Sequence, residues 1–399
     1  MSGGIVSSRA PTPRTGHVAI AYDHYMFVWG GYQNELTERY LSPDELWIYD
    51  SYLDSWQLRI LEPEEDTSIN CPPGTSGASA VLKGDAVYLF GGHCYAGNTN
   101  ELYRLNLQEF CWEYVHSYSL KPSPRDKLSM WEYGNSLYVF GGFGPPLEGY
   151  LKEHGIWIPD ESSSSYRGWN NQLLVFDLKT RMWSNPKCSG PVPSPRAAHA
   201  ATRVGNKVYL FGGRHCSQRL NDLHCLNLDT MTWSGSLHTG GSIPVGRSWH
   251  TFSAVSSTEI FLYGGFTQDN DTLCDGWVLN VDKLMWQQLN FTKKERRLWH
   301  STCVTNQNDV LIFGGCCNNI LSDDEPSLLT NSLLVFRLTP KSLFRLSLDA
   351  TFKYRAQLYC EWTSLPKPIF ELLEAKASAK DDSTQKYDRQ QGHGVCVLS

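Results

Sequence analysis

Charge is scarce in this sequence: Asp, Glu, Lys and Arg make up 19% of its 399 residues, and the balance is -6 at neutral pH. A chain of that sign offers no extended basic surface to nucleic acid, which leaves room only for a local basic pocket. The opening, Met1-Ser2-Gly3-Gly4-Ile5-Val6, has no basic region followed by an apolar run, so no signal peptide is expected. No apolar stretch is long enough for a bilayer span. Twelve cysteines are present but none forms a C-x-x-C pair, which argues against a zinc site and against a disulfide framework. Vicinal Cys316-Cys317 reads as reduced packing rather than a redox centre. The sequons at Asn270 and Asn290 carry weight only in a secreted chain. These absences describe a soluble intracellular protein with no membrane or nucleic-acid partner and no cofactor.

What the chain does have is glycine (33), proline (20) and tryptophan (14), with 13% aromatics, an all-β composition rich in turns. Six glycine pairs each end a hydrophobic run: Trp29-Gly30-Gly31, Phe90-Gly91-Gly92, Phe140-Gly141-Gly142, Phe211-Gly212-Gly213, Tyr263-Gly264-Gly265 and Phe313-Gly314-Gly315. Another short strand precedes each pair and a third follows. In five of the six copies a tryptophan then opens a fourth: Trp56, Trp112, Trp183, Trp233 and Trp286. Four strands repeated six times at about fifty residues predict a β-propeller. The glycine pair with its later tryptophan resembles the Kelch repeat, over roughly Arg14 to Leu338.

The expected organisation is therefore a six-bladed all-β propeller over 14–338, after an N-terminal segment, 1–13. The sixth copy lacks its tryptophan strand; Ile5-Val6 is expected to supply the strand and latch the ring, the alternative being a shorter outer edge. From Lys341 the spacing turns helical, with Leu343, Leu346 and Ala350 on one face and a second short helix near Ile369, Leu372 and Leu373. A helical segment is expected over 339–375, and a disordered tail over 376–399.

In a four-stranded meander, loops entering strand one and loops joining strands two and three gather on one rim. Four Arg-x-x-His segments stand there, beginning at Arg14, Arg196, Arg247 and Arg297. Four copies of one group around a ring serve no single reaction, so they are read as structural, satisfying loop backbone groups. Departures between copies are more informative. Tyr32, His93, Phe143, Arg214, Phe266 and Cys316 follow the glycine pairs, and only Arg214 is basic, with Arg219 in the same loop. Two guanidiniums converging on the rim suit a carboxylate or phosphate; the alternative is that both pair with acids such as Asp222. A long insertion, Phe143 to Trp169, supplies a wall. Trp169 and Trp249 are candidate flat sides or interblade packing, Lys127 adds another cation, and Ser248 a hydroxyl. Such a pocket, with the arginines on its floor, suits a peptide's terminal carboxylate and selects glycine by its narrowness.

Gly212-Gly213-Arg214 through Arg219, Asn221-Asp222-Leu223-His224, Gly246-Arg247-Ser248-Trp249-His250, Arg125-Asp126-Lys127-Leu128 and Arg167-Gly168-Trp169 closely resemble the Kelch-domain-containing C-degron receptors. The resemblance implies capture of C-terminal diglycine degrons for a Cullin-2 RING ubiquitin ligase, in the cytoplasm and nucleus. It implies that Arg214, Arg219 and Ser248 anchor the terminal carboxylate and that Lys127, Phe143, Trp169 and Trp249 line the pocket. Phe143 stands where the family's near relatives carry tyrosine, so one polar contact is missing. Ser342-Leu343-x-x-x-Ser347 resembles a BC box that docks Elongin B–Elongin C, with Thr351 in place of the usual aliphatic residue. Leu365-Pro366 resembles a Cullin-2 box. The competing reading is a non-degradative Kelch scaffold for acidic or C-terminal peptides. Enzymatic activity is not expected, since no metal constellation and no isolated rim carboxylate pair is apparent.

Overall fold

The structure, a computed structural model, describes residues 5–6, 10–33, 39–61, 70–146, 156–162, 166–291 and 294–387. Six blade sheets follow one another along the chain, antiparallel except where Gly240–Gly241 adds to the outer edge of blade five in parallel. Blade four shows the plan: Ala200–Val204, Lys207–His215, Gln218–Asn227 and Thr232–Ser236 pair in sequence order. The second strand of each blade reads as an almost continuous apolar run, such as Asp309–Phe313, because both of its faces are covered by neighbouring blades.

The tryptophans explain how blades adhere. Each packs on the aromatic residue that precedes the glycine pair of the blade before it. Ring centroids lie 5.3 Å apart for Trp112 on Trp29 and 5.0 Å for Trp183 on Phe90. They lie 5.1 Å apart for both Trp233 on Phe140 and Trp286 on Phe211. Trp56 of the first blade meets Phe313 of the sixth at 4.9 Å, which closes the circle. Where the sixth blade has no tryptophan, Phe336 takes that place against Tyr263 at 5.3 Å, backed by Phe291.

The sixth blade has three strands, Ser301–Val304, Asp309–Phe313 and Leu333–Arg337. The expected latch is corrected here: Ile5–Val6 pairs antiparallel with Ser55–Ile60, Ile5 opposite Arg59 and Val6 opposite Leu58, so it extends the outer edge of blade one. Blade six keeps the shorter outer edge. Its third strand is already buried at Leu334, Val335 and Phe336, between blade five's Phe291 and blade one's Tyr49 and Trp56.

After the ring come helix α1 (Leu343–Lys353), the turn α2 (Arg355–Leu358), a 3-10 segment (Tyr359–Ser364) and α3 (Lys367–Tyr387). Leu348, Phe352, Trp362 and Leu373 make a small core of their own. The expected boundary at 375 is also corrected: α3 runs on to Tyr387, because Glu374-Ala375-Lys376-Ala377 are strong helix formers and Lys376 donates to the Tyr52 carbonyl at 2.7 Å. Residues 388–399 of the expected tail lie outside the described residues. Among the described residues no helix is long and apolar enough to cross a membrane.

The Arg-x-x-His residues are scaffold. Arg14, Arg196 and Arg247, and Arg125 at the same place in blade three, are fully buried, and each donates to the carbonyl of the first glycine of its own blade's pair, at 3.3, 3.0, 3.0 and 3.3 Å. Arg297, also buried, is held instead by Glu295, Ser332 and the Arg296 carbonyl. Burial, reinforced by Arg196 and Arg297 respectively, pushes His199 and His300 down to about 3. Burial beside Arg14 and Arg247 also holds His17 and His250 well below the usual imidazole range. All four are neutral in the folded ring, while the unfolded chain protonates them near 6.5. The unfolded state therefore binds more protons at acid pH, and stability is lost as pH falls from about 6.5 towards 3. His24, raised against burial by hydrogen bonds to Asp50 and Asp23, works in the opposite direction but is a single group. Urea unfolding between pH 7.5 and 5.0 is expected to show stability falling with pH, each buried histidine contributing about 1.4 kcal/mol per pH unit below 6.5. A midpoint that does not move over that range would contradict their burial as neutral groups.

Candidate functional site

Two closed belts of backbone hydrogen bonds build the rim. In the inner belt the amide of the residue two before each strand one donates to its counterpart in a neighbouring blade. The donors are Gly16 to Trp299, Gly77 to Gly16, Lys127 to Gly77, Ala198 to Lys127, Trp249 to Ala198 and Trp299 to Trp249, at 2.7–3.0 Å. In the outer belt the second glycine of each pair donates to the next blade, as Gly213 does to Arg247 at 2.9 Å and Gly315 to Arg14 at 2.8 Å. All six inner-belt residues have positive φ, between 52° and 67°. Glycine takes that conformation freely, yet four of the six are Lys127, Ala198, Trp249 and Trp299. A left-handed residue with a side chain costs about 1–2 kcal/mol. Strain kept at three large side chains on one rim points to a use for those side chains.

Blade four differs from the rest in that its central strands do not stop at the glycines. They continue as a hairpin in which Arg214 lies opposite Arg219, with Cys216 at positive φ in the turn. Only four residues separate the two arginines, enough for a tight turn but not for a wandering loop. Across the ladder, the two guanidiniums are presented together. Arg214 donates through Nε to the Cys216 carbonyl at 2.8 Å and sits over the Trp169 ring at 5.6 Å. Arg219 donates through Nε to Ser248 Oγ at 3.1 Å and lies over Phe266 at 4.6 Å. Burial, then repulsion from Arg214, pushes Arg219 down to about 10, still fully charged at neutral pH. Among the described residues no carboxylate pairs with either arginine. Asp222, the acid that competes for them in the sequence, is held by Arg196 at 2.7 and 2.8 Å and by His224.

The remaining candidates join this pair in one circuit of contacts. Trp169 is buried at 5.2 Å from Phe143, across the small sheet formed by Phe143–Gly144, Gly168–Asn170 and Trp157–Pro159. Ser248 is buried, and its neighbour Trp249 stacks on Trp299 at 5.5 Å. The Lys127 ammonium lies 5.2 Å from the Trp299 ring and 2.5 Å from Asp126. Asp126 also meets Arg167, at 3.4 Å, whose guanidinium caps Phe143 at 4.7 Å. Inside the circuit opens an axial cavity of about 250 Å³, lined by Lys127, Trp249 and Trp299. Arg214 and Arg219 stand outside that lining, half-buried. Residues 147–155 and 163–165 of the insertion lie outside the described residues.

In the C-terminal segment Ser342 is the N-cap of α1, accepting from the Arg345 amide at 3.3 Å. Leu343 is 82% exposed, and Leu346, Ser347 and Ala350 share its outward side. The opposite face, Arg345, Leu348 and Phe352, is the one that packs. Thr351 is half-buried. Leu365 is drawn into the helical core, whereas Pro366 is exposed.

Comparison with known proteins agrees with this architecture. The description "KLHDC2/KLHL20/DRC7 Kelch-repeats domain" matches residues 4–157, 62–265 and 160–348. Kelch domain-containing protein 2 of Bos taurus is 41% identical over 389 residues, covering 94% of this chain and 93% of the relative. This chain belongs to the Kelch domain-containing protein family. Kelch domain-containing protein 1 of Mus musculus is 39% identical over 372 residues, covering 91% of this chain and 90% of its own. The solved structure of YjhT, 16% identical with a TM-score of 0.61, covers 83% of this chain and 96% of that one, and shows the shared fold alone.

Phe266, Trp299, Arg167 and Asp126 are parts of this Kelch rim that were not singled out from sequence. A signal for two of them was present. Phe266 occupies the same post-glycine position as Phe143 and Arg214, and Trp299 the same loop position as Lys127 and Trp249.

Proposed function

We propose that this Kelch protein is the substrate-recognition subunit of a Cullin-2 RING ubiquitin ligase, binding protein C-termini that end in glycine and doing no chemistry itself. The observation that carries the reading is the pair Arg214 and Arg219, two adjacent guanidiniums without a carboxylate among the described residues. The buried arginines Arg14, Arg125, Arg196 and Arg247 each donate to several oxygens, whereas Arg214 and Arg219 each donate to one among the described residues, through Nε. A terminal carboxylate would accept from both. Ser248, which accepts from Arg219, keeps its own hydroxyl proton free to donate to the same anion. Trp169, Trp249 and Phe143 would border the preceding residues, and a terminal glycine brings no Cβ against them.

A hydrogen bond to a charged group contributes on the order of 1.5–3 kcal/mol, so the carboxylate sets the affinity of a short peptide. Titration with a peptide ending in Gly-Gly, beside its C-terminally amidated twin, is expected to show about a 100-fold or greater loss on amidation, and a similar loss for Arg214→Ala. Equal binding of acid and amide would refute the carboxylate anchor.

The ligase arm rests on α1. Leu343 and Leu346 face solvent although the helix already packs its other side, Arg345, Leu348 and Phe352, the pattern of an interaction surface. Elongin B–Elongin C would dock there, with Cullin-2 and its RING subunit beyond, near Leu365-Pro366, in cytoplasm and nucleus. Leu343→Asp is expected to abolish co-purification with Elongin B–Elongin C while leaving peptide affinity unchanged, because the residue is exposed and remote from the rim. If the wild-type chain retains no Elongin, the ligase arm falls and a non-degradative peptide-binding scaffold remains.

A further inference from the structure

A second concentration of positive charge lies far from the rim arginines in the chain, where the C-terminal helices meet the first and sixth blades. A cavity of about 470 Å³ opens there, and Arg337, Lys341, Arg345, Lys353, Arg355 and Lys376 all line it. Its volume falls in the range of small-molecule sites. The acids nearby are too few. Asp309 is shared by Arg345 and by Arg337, whose buried Nε lies 3.2 Å from it but has no hydrogen bond. Asp349 is shared by Lys341 and by Lys376 at 3.0 Å. Asp54, on the lining, accepts from the Tyr49 hydroxyl at 2.6 Å. Lys353 and Arg355 have no carboxylate among the described residues and rest on the rings of Tyr354 and Phe352.

Six cations against three carboxylates leave an excess of three positive charges, in a chain whose net charge is -6. Part of this charge is held out of solvent: Arg345 is 5% and Lys376 8% exposed, each fixed by a backbone carbonyl of blade one, Ser51 at 2.8 Å and Tyr52 at 2.7 Å, while Lys353 and Arg355 are exposed. Like charges held in a partly dry cavity raise each other's energy, and an anion between them removes that cost.

We propose that this junction cavity binds a compact polyanion, a small molecule carrying several phosphate groups. The cations come from blade six, from α1 and its flanks, and from α3, so a ligand with groups on several sides engages all of them where a single phosphate cannot. Occupancy ties the helical segment to the ring, because the same anion touches both. The site is independent of the rim arginines.

The test is calorimetric titration of the full chain with inositol hexakisphosphate at physiological salt, with thermal unfolding in parallel. One saturable site and a raised Tm are expected, with affinity falling as salt rises. Lys353→Gln with Arg355→Gln, both exposed and uninvolved in the buried ion pairs, is expected to weaken binding about tenfold or more. Arg214→Ala with Arg219→Ala is expected to leave it unchanged. Absence of a saturable site, an unchanged affinity in the Lys353/Arg355 variant, or loss in the Arg214/Arg219 variant instead would each overturn the assignment. Displacement of the probe by a tighter-binding acidic peptide would overturn it in favour of a peptide groove.

Discussion

The inner belt of six hydrogen bonds is the constraint on which the rim depends. Each belt residue gives its amide to one neighbour and its carbonyl to the other, so no blade can shift without breaking two bonds. The geometry admits only a left-handed backbone at that position, which is why Gly16 and Gly77 occupy two of the six places. At Gly213, in the second belt, an added Cβ would lie 2.7 Å from that of His199 and 2.9 Å from the Ala197 carbonyl. Close approach and positive φ together exclude a side chain there. The belts use up the loop backbone, and variation between blades is left to side chains.

That separation gives the arginines two different physical roles. Arg196 and Arg214 sit in the same blade, but one is fully buried with a bidentate Asp222 and a glycine carbonyl, and the other has one carbonyl and a tryptophan face. The buried set would leave unpaired charge if any partner were removed, a loss of about 3–5 kcal/mol for a buried pair. The rim set is supported mainly by aromatic rings, which favour the guanidinium without neutralising it. Aromatic support therefore leaves Arg214 and Arg219 both fixed in place and open to an anion.

Much of this was legible in the sequence because repetition is itself a measurement. Six glycine pairs and five tryptophans define blades and neighbours. Arg214 and Arg219 stand out only against five copies that lack them. What escaped was information carried by non-local pairing. Ile5-Val6 has no feature that distinguishes the outer edge of blade one from that of blade six, since either offers unpaired backbone. The Phe336 side chain substitutes for a missing tryptophan in a strand of ordinary β composition. Leu343, Leu346 and Ala350 do share a face, yet the pattern cannot say whether it points inward. Arg345 and Lys376, hydrophilic in any sequence scale, turn out to be buried contacts of the helices with the ring.

Those two cations determine how the two halves of the molecule relate. A helix docked only through apolar side chains could slide along a surface, because apolar contact is non-directional. Arg345 reaches Asp309 in blade six and the Ser51 carbonyl in blade one, and Lys376 joins the Tyr52 carbonyl to Asp349 of α1. Hydrogen bonds of fixed length and direction to two adjacent blades set one position for the helices. Blades one and six are also those that the ring must join to close, through Trp56 on Phe313 and Gly315 on Arg14. The open seam of the propeller and the dock of the helices are thus one place. The outward face of α1 is held at a set orientation to the rim through the closure that keeps the rim rigid.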